Sequence, residues 1–501
     1  MSTIRRQSII SSAIVYFGFV LGFVNTYLFA RFFTEEQYGL AQGTFLAIAN
    51  IMYALANLGT VQYVNKFFPY YQDNLPPQKN DQFTFAFVVS LCGFLLVTSG
   101  GFIFKDLVIR KYGTNAPDLV TYFYWIFPLG FGLTIFTLLE AFSWHFNKAV
   151  LSNVLREVGF RLLTTLLIVL TFVGVIKDFD LFIKAFAFTY IIIAAILGGY
   201  LFFTGRLHFH FSISRVTKKF FKKIVPLMAF MWSGLLVFSV AQVFDTLVIA
   251  AVMADGLKYA GIYTLAQNIS SLIQAPQRAV ISASVGPLSR SWKDKDYDRI
   301  QRIYSRASIN QLIFAVAMFV LIWINFTDGV LTFKLKEGYL LAKPAFLFIG
   351  LMRVIDLAAG LNSQIIATSV YWRFEFITGL ILLSLTLPLN YMLTRQFGIE
   401  GTAASNLFAI TVYNSIRFYF LYKKFGMQPF GMNTLYTLLL GLAGYFICHF
   451  LFRDYQGILW IFIRSAVFVA IYATGVLALN LSPDIKPVLQ TIRNRFTRKD
   501  S

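Results

Sequence analysis

The stretch Gln267-Asn268-Ile269-Ser270-Ser271-Leu272-Ile273-Gln274-Ala275-Pro276-Gln277-Arg278 lies inside an otherwise apolar segment, residues 257–284. At helical spacing Gln267, Ser271, Gln274 and Arg278 share one face, while Leu265, Ile269, Leu272, Ile273 and Ala279 cover the rest. The segment is long enough to cross a bilayer, so it reads as one transmembrane helix whose polar stripe ends in a permanent cation. A guanidinium in hydrocarbon costs about 3 kcal/mol even on the gentlest scale. Arg278 therefore either faces a bundle interior or wet path, or sits near the end of the span and snorkels to headgroups.

Composition sets the class around that helix. Of 501 residues, 57% are hydrophobic, 18% aromatic and only 13% charged. Soluble domains of this total length need far more charged surface, so the chain reads as an all-α integral membrane protein. The net charge of +20 is what loops facing an anionic leaflet accumulate, and it requires no nucleic acid. Cys92 and Cys448 lie in apolar runs and read as small core residues rather than a disulfide. The apolar run after Arg5 and Arg6 outlasts a signal peptide and lacks a small-residue cleavage site, so it is expected to remain as the first span.

Counting about 20 apolar residues per crossing gives about fourteen spans. They fall near 8–33, 40–68, 82–104, 119–145, 153–175, 181–204, 224–253, 257–284, 303–326, 341–368, 374–393, 401–422, 433–452 and 457–481. The connection 205–223 is the most basic, with Arg206, Arg215, Lys218, Lys219, Lys222 and Lys223 among phenylalanines. Between two spans it reads as an amphipathic segment on the lipid surface. Cations collect on the even-numbered connections and near both ends, which places both termini in the cytoplasm.

A short echo organises the spans. Tyr38-Gly39-Leu40-Ala41-Gln42 recurs as Tyr263-Thr264-Leu265-Ala266-Gln267, and a second register aligns Gly39 with Gly261. Either pairs the first two spans with the seventh and eighth. An even number of crossings per repeat relates the repeats by a pseudo-two-fold axis along the membrane normal. The expected organisation is an N-terminal lobe of about six helices at 1–204, a basic cytoplasmic tether at 205–223, a matching lobe at 224–425, two further helices at 426–481 and a basic cytoplasmic tail at 482–501.

Three motifs carry a resemblance: Thr34-Glu35-Glu36-Gln37-Tyr38-Gly39-Leu40, Tyr259-Ala260-Gly261-Ile262-Tyr263-Thr264-Leu265, and Phe397-Gly398-Ile399-Glu400-Gly401-Thr402-Ala403-Ala404-Ser405. With the span pattern, they resemble the polysaccharide-export branch of the multidrug/oligosaccharidyl-lipid/polysaccharide exporter superfamily. The resemblance implies a bacterial inner-membrane flippase for a lipid-linked oligosaccharide of the O-antigen or capsule type, with two lobes around a cationic cavity. The drug-extruding branch commonly keeps an acid in its first helix; residues 8–33 contain none.

A polyprenyl-diphosphate sugar presents two phosphates and a polar glycan, so its head needs cations and hydrogen-bonding groups along a wet path. Candidate cavity residues are Arg278, Arg353 and Arg417 with Gln267, Ser271, Gln274, Asn50 and Asn57. The asparagines read first as glue between helices and second as sugar contacts. Arg353 has Asp356 one turn away, a spacing that also permits a local ion pair. Arg31 and Arg464 read as interface anchors or packing residues. Three intramembrane carboxylates, Asp245, Glu140 and Asp356, are candidates for gating or for coupling to a proton or sodium ion, with structural ion pairing as the alternative.

Enzymatic readings find little support. His145, His208, His210 and His449 lack metal-ligand company, and no phosphate-cradling glycine loop with its lysine occurs. No cofactor is expected. The expected partners are the lipid-linked substrate, membrane lipids, and the polymerase and glycosyltransferases of the same route. The alternatives are a drug or small-molecule exporter of the same architecture, and a membrane-embedded polysaccharide polymerase or glycosyltransferase.

Overall fold

A computed structural model describes residues 3–146 and 148–484, which form helices, turns and loops with no strand among them. The longer helices are α1 (Thr3–Phe32), α2 (Leu46–Asn57), α3 (Thr60–Asn74), α4 (Gln82–Ile103), α5 (Ile126–His145), α6 (Phe160–Phe172), α7 (Thr189–Phe203), α8 (Arg215–Val252), α9 (Gly256–Ser270), α10 (Gln277–Lys293), α11 (Tyr297–Thr332), α12 (Ala342–Ala358), α13 (Trp372–Phe425), α14 (Met432–Leu451) and α15 (Ile458–Ala478). Among the described residues, nine helical stretches are long and apolar enough to cross a membrane.

The remaining expected crossings are present in pieces. The first is the apolar part Phe17–Phe32 of α1. A π-helical turn, Val154–Gly159, divides the fifth, and a 3-10 turn, Ser271–Gln274, divides the eighth. The tenth pauses after Ala358 and resumes as the short helix Asn362–Ala367. The eleventh and twelfth run together in α13, which bends at Gly398, where φ is 62° and ψ is −141°. Only glycine adopts that conformation without strain, which explains the residue inside the third motif.

By packing, the chain forms two compact units, residues 1–264 and 265–501. In the first, α5 lies at the centre, with nearly every residue from Leu129 to Ser143 buried, as an apolar helix without a polar face requires. A core of Tyr63, Phe67, Phe83, Phe136 and Phe142 surrounds it. The basic connection and α8 are held to this unit through Asp81. One carboxylate oxygen of Asp81 accepts from the Ser214 amide at 2.8 Å and the Thr217 hydroxyl at 2.7 Å, and Thr217 continues to Tyr71 at 2.6 Å. The cations of α8 nevertheless stay outside: Arg215, Lys218, Lys219, Lys222 and Lys223 are all exposed. The sequence-derived division at 205–223 follows the internal echo, a criterion different from packing.

The two halves of the echo meet inside this unit. A Cβ on Gly39 would stand 1.9 Å from the Leu257 carbonyl oxygen, and one on Gly261 would stand 2.1 Å from the Glu35 carbonyl oxygen. Each glycine thus opposes the carbonyl four residues before the other, a local two-fold exchange that selects the register Gly39 with Gly261.

In the second unit Leu288, Tyr304, Leu361, Ile365 and Leu421 form the core. The last two helices pack on α11 and on each other: Gly441 of α14 lies against Val316 of α11, Gly444 of α14 against Phe468 of α15, and the Tyr472 hydroxyl of α15 donates to the Ile313 carbonyl of α11 at 3.0 Å. Close backbone approach through glycine is the usual way for helices to associate in lipid.

Candidate functional site

The continuous helix expected over 257–284 is the main correction. α9 stops at Ser270, one 3-10 turn follows, and α10 starts at Gln277 after Pro276. Pro276, the cap residue of α10, has no amide hydrogen to give the Leu272 carbonyl, so one bond of an α-helical ladder is missing at the break. The polar stripe is accordingly split. Gln267 remains on α9, Ser271 and Gln274 occupy the 3-10 turn, and position 278 falls in the first turn of α10. The Ser271 hydroxyl is turned onto the Asn268 carbonyl at 2.6 Å. The Arg278 side chain lies outside the described residues.

The break delivers the neighbouring Gln277 to a polar network. Asp356 on α12 accepts from the Gln277 amide on one oxygen and from the Asn414 amide on the other, each at 3.1 Å. Asn414 in turn accepts from Asn362 at 2.9 Å, and the Ser363 hydroxyl donates to Glu375 at 2.8 Å. Glu375 pairs with Arg417, which is only 3% exposed, and the guanidinium carbon lies 3.5 Å from the centre of the Tyr413 ring. The charge of Arg417 is thus neutralised within the unit. Arg353 lies half-buried one turn before Asp356.

The first unit has its own buried charges. Glu140, 2% exposed on α5, pairs with Arg156 in the π-helical turn. The adjoining Glu157 and Arg161 pair at 2.9 Å. The Arg161 guanidinium fills the space beside Gly18 and Gly22 of α1, 2.7 and 3.0 Å from where their Cβ atoms would be. Asn25 closes the arrangement, donating to the Arg161 carbonyl at 2.8 Å and accepting from Thr165 at 2.5 Å. Extra-residue turns of this kind re-aim side chains and recur at functional positions. His145 instead stacks on Phe68 and meets Asn65 at 3.1 Å. Asp245, 7% exposed on α8, accepts from the Tyr263 hydroxyl at 2.9 Å.

The second span is broken as the eighth is. α2 ends at Asn57, Leu58 and Gly59 are left-handed with φ of 47° and 80°, and α3 begins at Thr60. Gly59 is required twice over, since a Cβ there would also lie 2.3 Å from the Met228 carbonyl oxygen. Asn57 is buried with its side-chain oxygen lacking a hydrogen-bond partner, beside a Thr60–Ser90 hydroxyl pair at 2.8 Å. Asn50 is exposed and donates to its own helix at the Leu46 carbonyl, 2.7 Å away.

Arg31 is exposed and bonds Tyr27 at 2.6 Å. Arg464 is buried, bridging the Ile324 and Tyr455 carbonyls at 2.9 Å and Asp328 at 3.5 Å. Among the described residues no three His, Cys, Asp or Glu side chains come together as a metal site. The sequence reading missed Gln277, Asn362, Glu375, Tyr413 and the pair Glu157–Arg161. The visible signals were Pro276 beside Gln277, and the i,i+4 spacing of Glu157 with Arg161.

Polar breaks within apolar spans are a device that helical membrane transporters assembled from repeats also use. The fold agrees. It is similar to that of the lipid II flippase MurJ in an inward closed conformation, with a TM-score of 0.71 and 16% identity over 94% of this chain and 98% of that one. It is also similar to an inward-facing multidrug resistance MATE family transporter of the MOP superfamily, with a TM-score of 0.61 and 15% identity over 82% and 96% of the two chains. A mutant of the Vibrio cholerae MATE transporter VcmN gives 0.54 and 11% identity over 83% and 97%. No curated protein sequence matches the chain. The family model described as "Polysaccharide biosynthesis protein" matches residues 4–292, and the chain belongs to that family.

Proposed function

We propose that this protein is a flippase that carries a lipid-linked, polyprenyl-diphosphate oligosaccharide across the bacterial inner membrane by alternating access, without covalent chemistry. The observation that carries the reading is the occurrence, in a member of the polysaccharide biosynthesis family with a flippase-like fold, of two broken spans ending in polar groups: Asn57 and Thr60 in one unit, Gln277 and its partner Asp356 in the other. Such breaks offer backbone and side-chain groups to a polar cargo at membrane depth. The lobes at 1–204 and 224–425, the tether at 205–223, cytoplasmic termini and a cation-lined path including Arg278 and Arg353 belong to the same proposal. Asp245, Glu140 and Asp356 are the carboxylates through which a proton or sodium gradient would act.

The test is to delete the gene and follow lipid-linked glycan. Accumulation of cytoplasm-facing glycolipid, relieved by the wild-type gene, supports the reading. Normal flipping with drug sensitivity would point to the exporter alternative, which a fold similar to that of a MATE transporter also accommodates. Normal flipping with shortened polymer would point to a polymerase.

A further inference from the structure

The second unit holds a pocket that no step of the proposed transport uses. A cavity of about 230 Å³ opens where α11 and α14 end and α12 and α15 begin, with Trp323, Lys343, Arg453, Tyr455 and Arg464 among its walls. Arg464 is fully engaged by Asp328 and two carbonyls, so it frames the site without adding net charge. Two cations are left over. The Lys343 amine is steered by the Thr327 hydroxyl at 2.9 Å and stands 5.0 Å from the centre of the Trp323 ring. Arg453 is exposed and has no protein partner among the described residues. Tyr455 stacks on Trp460 at 4.0 Å, making a rigid side wall.

Aromatic rings and cations at helix ends mark the depth of lipid headgroups. A phosphate is the anion that suits a lysine point charge beside an arginine fork. Phe450, Leu451, Leu459 and Phe462 flank the pocket on α14 and α15 and are 58 to 74% exposed, a surface that acyl chains would cover. We propose that this pocket binds the phosphate-bearing headgroup of an anionic membrane lipid, with its chains lying along those residues. A water-soluble phosphate ester shares the headgroup chemistry but has no use for the apolar flank.

The test uses the full-length protein in detergent, with retention of added phosphatidylglycerol and phosphatidylcholine measured by native mass spectrometry. The wild type is expected to retain phosphatidylglycerol selectively. Lys343→Gln and Arg453→Gln should each weaken that retention roughly fivefold, the worth of one cation at an anionic surface. Lys343→Arg should preserve it, and Arg290→Gln, at an exposed cation elsewhere, should change nothing. Because Arg453 is exposed, its variant folds and keeps the result interpretable. Unchanged selectivity in Arg453→Gln and Lys343→Gln would overturn the proposal, as would displacement of the lipid by millimolar inorganic phosphate. Neither result would touch the flippase reading, which rests on the deletion experiment.

Discussion

Arg417 and Glu375 show what a buried ion does in this protein. Arg417→Met leaves Glu375 without its cation and is expected to cost about 3–5 kcal/mol of stability, whereas Arg417→Met with Glu375→Leu should recover most of it. Thermal unfolding of the purified variants in detergent checks both. Asp356 differs: its two oxygens accept from the amides of Gln277 and Asn414, and it lies next to the broken span. If it is the coupling carboxylate, Asp356→Asn should give proteoliposomes whose flipping no longer responds to pH or sodium; an unaltered response would remove it from that role. Arg417 and Asp356 were legible in sequence because a charge deep inside an apolar run stands out. Their partners were not, because Glu375, Asn362 and Gln277 reach Arg417, Asn414 and Asp356 from separate stretches of chain, and spacing along one helix carries no information about such encounters.

Pro276 illustrates the same point for whole helices. The stripe Gln267, Ser271, Gln274, Arg278 has good helical periodicity, yet the chain breaks at the 3-10 turn before Pro276, and periodicity alone reads straight through. Pro276→Ala should lengthen the helix and raise stability by up to about 3 kcal/mol. Flipping should fall while expression stays normal, measurable by comparing melting temperature with transport in the same preparation. At the other break, Gly59→Ala must place a side chain in a left-handed residue and against Met228. A loss of at least about 1–2 kcal/mol is expected in the same unfolding measurement. That break left a weaker trace, a single Leu58-Gly59 pair in an apolar run, and nothing in the residue type of Leu58 announces its left-handed backbone.

For the molecule as a whole, bilayer thickness made the spans countable from hydropathy, because every crossing needs a minimum length of apolar chain. The extent of each packed unit was not countable in that way, since α8 joins the first unit through Asp81, Ser214 and Thr217, contacts distant in sequence. The close approach of Gly39 and Gly261 has an evolutionary corollary. Each position tolerates only a hydrogen because the backbone of the other segment occupies the room a methyl group would need. A side chain at one cannot be relieved by a change at the other, because the obstacle in each case is a main-chain carbonyl, so neither position is free to drift from glycine.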